Sequence, residues 1–174
     1  TVQPGTELIF NSATPSALII DKGSQINAVG TPSAPITFTS DKAAPGAWGG
    51  IIILGKATVM NDDPSVPVDY PGLQYGGTIS DDNSGSLKYV RILYAGGVSN
   101  QDPQIASIYN GLTLCGVGNK TTIDYVQVHK SKRNGISMFG GDVDIRHTLL
   151  TSNVVNSFYY NETWLGKSQF LLIQ

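Results

Sequence analysis

The residues of this chain that could carry chemistry are carboxylates, amides and tyrosines set among short apolar segments. Asp124 and Asp144 each follow a β-branched residue, in Ile123-Asp124 and Val143-Asp144, at comparable positions in a recurring pattern. Glycoside hydrolysis needs two carboxyl groups across a cleft, and lyase chemistry needs a base with a charge-neutralising Arg or cation. These two aspartates are therefore the candidate catalytic pair, although outward solvated aspartates would produce the same pattern. The densest oxygen donors are Asp81-Asp82-Asn83 and Asp62-Asp63. Hard cations such as Ca²⁺ need several oxygens at close range, so Asp81, Asp82 and Asn83 are a candidate calcium site; turn formation is the competing reading. No other cofactor is indicated. His129 and His147 show no spacing that marks a metal site or a catalytic triad and read as surface or stacked histidines.

Rings near turns suggest a different activity. Tyr70, Tyr75, Tyr94, Tyr109 and Trp164, with Tyr159 and Tyr160, would offer flat apolar area to sugar faces while Asn and Asp bond hydroxyls. Packing of loops against the body of the protein would account for the same residues. Cys115 is the single cysteine, which rules out an intrachain disulfide and a cysteine zinc cluster; within Leu112-Thr113-Leu114-Cys115 it reads as a small buried hydrophobe. The net charge is −2, and Lys130, Lys132 and Arg133 are too few to form a basic stripe, so nucleic acid is not an expected partner. Asn119-Lys120-Thr121 and Asn161-Glu162-Thr163 match a glycosylation sequon that is common by chance.

The elements that must position these residues are strands. Charged residues are only 14% of the chain against roughly 25% in ordinary soluble domains, and Gly is abundant. Segments such as Gly50-Ile51-Ile52-Ile53-Leu54 and Leu87-Lys88-Tyr89-Val90-Arg91-Ile92 are strand-length, rich in β-branched residues and punctuated by Gly, Pro, Asn or Asp. They also repeat. Asn110-Gly111-Leu112, Asn134-Gly135-Ile136 and Asn156-Ser157-Phe158 recur at intervals of 24 and 22 residues, the length of one coil of a solenoid built from three short strands. Asn110, Asn134 and Asn156 would then stack as a ladder, each amide both donating and accepting. The fold expected is all-β, a right-handed parallel β-helix with coils of about 22 to 24 residues. It is preferred to an antiparallel sandwich because Asn-Gly precedes strands at a fixed interval instead of bridging hairpins.

One domain is expected over residues 1–174, as a segment of a longer protein. Residues 60–83, with Asn61-Asp62-Asp63-Pro64 and Gly76-Gly77, read as a loop inserted on one face. The segment Gln169-Phe170-Leu171-Leu172-Ile173-Gln174 is an apolar strand with no polar cap, so the chain is expected to continue or to associate through that edge. No stretch is apolar and long enough to span a membrane.

The blocks Pro35-Ile36-Thr37-Phe38-Thr39-Ser40, Gly46-Ala47-Trp48-Gly49-Gly50-Ile51, Thr121-Thr122-Ile123-Asp124-Tyr125-Val126-Gln127-Val128-His129 and Phe139-Gly140-Gly141 resemble those of bacterial, largely Bacteroidetes, secreted or lipid-anchored parallel β-helix proteins. Some of those carry a type IX secretion sorting domain, and most have no assigned function. The resemblance spans nearly the whole chain and implies export to the cell surface or beyond. Relatives usually place paired aspartates where this chain has Arg133-Asn134 and Val155-Asn156, so acid chemistry at those positions is not expected here. The function expected is a non-catalytic extracellular scaffold for a glycan or a partner protein. The alternatives are a β-helix polysaccharide lyase or hydrolase, and a self-assembling surface protein.

Overall fold

A computed structural model describes residues 1–14, 16–59, 73–97, 108–161 and 163–174. Among these residues twelve strands follow one another: β1 (Glu7–Phe10), β2 (Leu18–Ile20), β3 (Ile26–Val29), β4 (Ile36–Ser40), β5 (Ile51–Leu54), β6 (Gly85–Leu93), β7 (Leu112–Cys115), β8 (Thr122–His129), β9 (Ile136–Phe139), β10 (Ile145–Thr151), β11 (Phe158–Tyr160) and β12 (Ser168–Ile173). Every pairing between them is parallel. One sheet runs β11-β9-β7-β5-β2; the other runs β1-β4-β6-β8-β10-β12, with β3 also on β6. Partners that recur every coil, with no helices among the described residues, define the parallel β-helix expected from the repeat.

The coil has three walls because the long strands bend. In β6, Ile26–Val29 pairs with Gly85–Lys88, whereas Ile36, Thr37 and Phe38 pair with Val90, Arg91 and Ile92. Tyr89 lies between the halves with φ 52°, and Tyr125, His147 and Phe170 repeat this left-handed conformation in β8, β10 and β12, with φ of 52°, 46° and 58°. The bend changes the alternation of inward residues. Leu87, Val90 and Ile92 all point into the core, as do Ile123, Val126 and Val128 in the next coil, so the spacing is three and then two. A strict period of two would have turned one half of each strand inside out.

Two apolar clusters result. The main one fills the coil with Ile51, Ile53, Leu87, Ile92, Leu112, Leu114, Ile123, Ile136 and their neighbours. Trp48 plugs one corner, stacked on Phe10 at 4.1 Å with its Nε1 donating to the Leu93 carbonyl. The second cluster lies outside the wall formed by β2, β5, β7, β9 and β11. There Ile52, Leu54, Cys115 and Phe139 point away from the coil interior yet are buried, covered by Leu73, Tyr75, Ile108 and Tyr109 from the segments after β5 and β6. The insertion expected as a loop leaving one face thus folds back onto that face with its described part. A further insertion between β6 and β7 joins it.

The Asn positions stack on the rim of this wall. The Asn134 backbone N–H donates to Asn110 Oδ1 at 3.2 Å, and the Asn156 N–H and Nδ2 both donate to Asn134 Oδ1, at 3.2 and 3.1 Å. Two of the amides also reach into the following strand, Asn110 Nδ2 donating to Thr113 Oγ1 and Asn134 Nδ2 to Ser137 Oγ. Gly50 serves the same corner one coil earlier. Its φ is +90°, and a Cβ there would stand 1.9 Å from the Asn110 carbonyl oxygen, so only glycine fits.

Candidate functional site

The bend that divides each long strand also builds a surface. Tyr89, Tyr125, His147 and Phe170 stand one above another with successive ring centroids 4.6, 4.4 and 4.7 Å apart and planes within 17° of parallel. The spacing is that of the β ladder itself, about 4.8 Å. A left-handed non-glycine residue costs about 1–2 kcal/mol, and an aromatic pair returns about 0.5–1.5. Three ring contacts do not offset four such residues, so the paired strands on either side hold the bend and the rings follow.

Two outward rows flank this ring ladder. On one side run Lys88, Asp124 and Arg146, paired across β6, β8 and β10. On the other run Thr37, Arg91, Gln127 and Leu149. Over the second row lies a shallow groove of about 420 Å³, its floor made by Arg91, Gln127 and Leu149, one wall by the edges of Tyr89, Tyr125 and His147, and its head by Thr31, Pro32 and Pro35. Arg91 Nε donates to Gln127 Oε1 at 3.2 Å, which fixes a guanidinium and an amide along the floor. Because Arg91, Gln127 and Leu149 belong to successive coils, the groove runs along the solenoid axis and suits an extended chain.

The same coils decide kinship. The family model of a pectate-lyase-like β-helix domain matches residues 1–174. The chain belongs to that family. No curated protein and no solved structure matches it.

On this pectate-lyase-like β-helix the candidate catalytic carboxylates lie across the ring ladder from the groove. Asp124 accepts from His147 Nδ1 at 2.8 Å and pairs with Lys88 Nζ at 3.7 Å. Asp144 accepts from the Lys167 backbone N–H at 2.9 Å and pairs with Arg146 at 3.6 Å. Asp124 is paired in the ladder with Arg146, two residues beyond Asp144, so strand geometry separates the two Cα atoms by about 8 Å. Each carboxylate is already bound to cations or N–H groups. The groove lining, among the described residues, contains no carboxylate.

A third aspartate was not singled out by sequence. Asp142 accepts from Asn119 Nδ2 through one oxygen, while its buried Oδ1 has no hydrogen-bond partner. Burial raises its pKa above the usual carboxylate value, with the nearby Asp144 charge adding to the effect and the Asn119 hydrogen bond opposing it.

The acidic cluster at Asp81-Asp82-Asn83 is occupied by turn bonds. Asp81 pairs with Lys120 Nζ at 2.7 Å, and that bond lowers its pKa. Asp82 is buried and accepts from Ser84 Oγ, and Asn83 Oδ1 accepts from the Gly85 N–H. Among the described residues no group of three or more His, Cys, Asp and Glu side chains is placed to hold a metal.

The tyrosines chosen from sequence are dispersed. Tyr75 and Tyr109 pack in the outer apolar cluster. Tyr94 meets His129 edge-on at 6.2 Å, and Trp164 packs against Phe158 and Tyr160 with its Nε1 donating to the Val143 carbonyl. Tyr70, like Asp62 and Asp63, lies outside the described residues. The structure therefore does not bring those rings together, and it assembles instead Tyr89, Tyr125, His147 and Phe170. The available signal was the 22- to 36-residue recurrence of one ring between an inward residue two before it and another one after. Cys115 is buried, and desolvation raises its thiol pKa far above the ordinary value, so it offers no thiolate. Among the described residues no helix is long and apolar enough to cross a membrane.

Proposed function

We propose that this domain is a non-catalytic extracellular or cell-surface scaffold whose axial groove binds a glycan chain. The observation that carries the reading is the groove itself, an elongated surface with ring edges on one wall and Arg91 and Gln127 fixed along its floor. Guanidinium, amide and Tyr hydroxyl groups hydrogen-bond sugar hydroxyls. The stack also limits the mode of binding. Tyr125 and His147 spend both faces on their neighbours, so a ligand beside them meets edges and polar tips.

The second reading is a lyase, favoured by the Asp124–His147 pair. Asp124 holds Nδ1 of a ring whose edge lines the groove, and Arg91 lines the same groove, so a base and a neutralising cation share one surface. A glycan array together with an unsaturated-product assay separates the two. Binding without product, weakened in Arg91→Ala, supports the scaffold. Product formation that disappears in His147→Ala and Asp124→Asn replaces it with the lyase.

A further inference from the structure

We propose that the groove recognises the end of a glycan chain and not its interior; this rests on the glycan-binding reading above. The reason is the turn at its head. In β6, β8, β10 and β12 the two halves of the strand are joined by one left-handed residue, but between β3 and β4, which pair with the two halves of β6, the same junction is the six-residue segment 30–35. The extra residues have nowhere to go but outward, and Thr31, Pro32 and Ser33 are exposed.

The turn is tied down at both ends and within itself. The Gly30 N–H donates to the Lys88 carbonyl at 2.8 Å and the Gly5 N–H to the Ala34 carbonyl at 3.0 Å. Thr31 and Ala34 exchange backbone hydrogen bonds at 3.1 and 3.2 Å, and Ala34 N–H also donates to Thr31 Oγ1. Pro32 and Pro35 fix two further φ angles. Val29 pairs with Lys88 and Ile36 with Val90, so this rigid turn takes the place of Tyr89 one coil earlier, in line with the ring ladder, and its Thr31, Pro32 and Pro35 line the head of the groove. A chain lying on Arg91, Gln127 and Leu149 would abut Thr31, Pro32 and Pro35 at the head of the groove. The volume is at the small end of ligand sites, which span about 300–1,000 Å³, and so suits a short terminal segment.

The test compares cello-, xylo-, manno- and galacturono-oligosaccharides by calorimetry on the full chain. Each is supplied free, blocked at its reducing end and blocked at its non-reducing end, alongside the parent polymers. The expected result is binding that falls at least tenfold when one particular end is blocked and is unchanged when the other is blocked, with polymer binding that follows the number of chain ends. Equal binding of both blocked forms, or polymer binding that follows the number of sugar units, overturns end recognition while leaving glycan binding intact. Absence of binding to every probe overturns both. Pro32→Gly combined with Pro35→Ala should relax the discrimination, and unchanged discrimination in that variant would count against the turn as the stop. Ile9→Ala, exposed and outside the groove lining, should keep the discrimination and serves as the control.

Discussion

Tyr125 and His147 lie face to face, ring centroids 4.4 Å apart and planes 7° from parallel, and both have a left-handed backbone. The two facts have opposite energetic signs, which makes Tyr125 a test of how the bend is held. Tyr125→Ala removes two ring contacts, a loss of about 1–3 kcal/mol, and keeps the Cβ that disfavours φ 52°. Tyr125→Gly loses the same contacts but relieves the left-handed strain of about 1–2 kcal/mol, against an unfolded-state entropy cost of about 0.5–1. Glycine should therefore match or exceed alanine in stability by up to about 1.5 kcal/mol, the reverse of the order at an ordinary strand position. Urea unfolding of the two variants measures this, and alanine clearly above glycine would refute it.

The Asn ladder predicts a gradient along the solenoid. Asn134 Oδ1 accepts two hydrogen bonds from Asn156 while its Nδ2 donates to Ser137 Oγ. Asn134→Ala should cost about 2–3 kcal/mol, at about 1 kcal/mol for each bond lost. Asn156, exposed at the last rung, should cost about 1 kcal/mol or less on the same change. Asn134→Asp keeps the acceptor and loses the donor, so it should fall between the two. Equal losses at Asn134 and Asn156 would show that the ladder does not act cooperatively.

Much of this was legible in the sequence because it depends on interval. Asn110, Asn134 and Asn156 announce the coil, and consecutive apolar residues announce strands. The bend was not legible. Leu87-Lys88-Tyr89-Val90-Arg91-Ile92 alternates well enough to pass for one flat strand, and a bulky residue with positive φ is rare enough that nothing in its identity suggests it. The ring ladder was hidden for a related reason: proximity to turns selected Tyr75 and Tyr109, which pack in the outer apolar cluster, whereas the rings that line the groove sit within strands. One available signal concerned that wall. Ile51-Ile52-Ile53-Leu54 has no polar alternation, and a strand apolar on both faces must be covered on both.

Ile52 puts that covering to the test. Its side chain points out of the coil but is fully buried under the inserted segments. Ile52→Ala should cost about 2–5 kcal/mol, as for an interior position. Ile9, 62% exposed on β1, is the matched control, and Ile9→Ala should change stability by no more than about 0.5 kcal/mol. Chemical denaturation of both variants decides it. A small loss at Ile52 would mean that the covering segments contribute little to the fold.

The last prediction concerns pH. Burial lowers the pKa of His129 below the ordinary histidine value, the Lys130 charge works in the same direction, and the hydrogen bond to Thr151 opposes both. The ring Nδ1 lies 2.7 Å from Thr151 Oγ1. In the unfolded chain His129 takes up a proton below about pH 6.5; in the folded chain it does so only at lower pH. Between those two values the unfolded state holds more protons, so stability rises with pH there. The stabilisation is complete above about pH 6.5 and is lost as pH falls through the lower, folded pKa. His129→Gln removes the titration and leaves every other group, including His147, in place. The stability difference between wild type and His129→Gln should therefore shift in favour of the wild type from pH 5 to pH 7.5. Thermal unfolding of both proteins across that range measures the shift, and a constant difference would show that His129 titrates alike in the folded and unfolded chains.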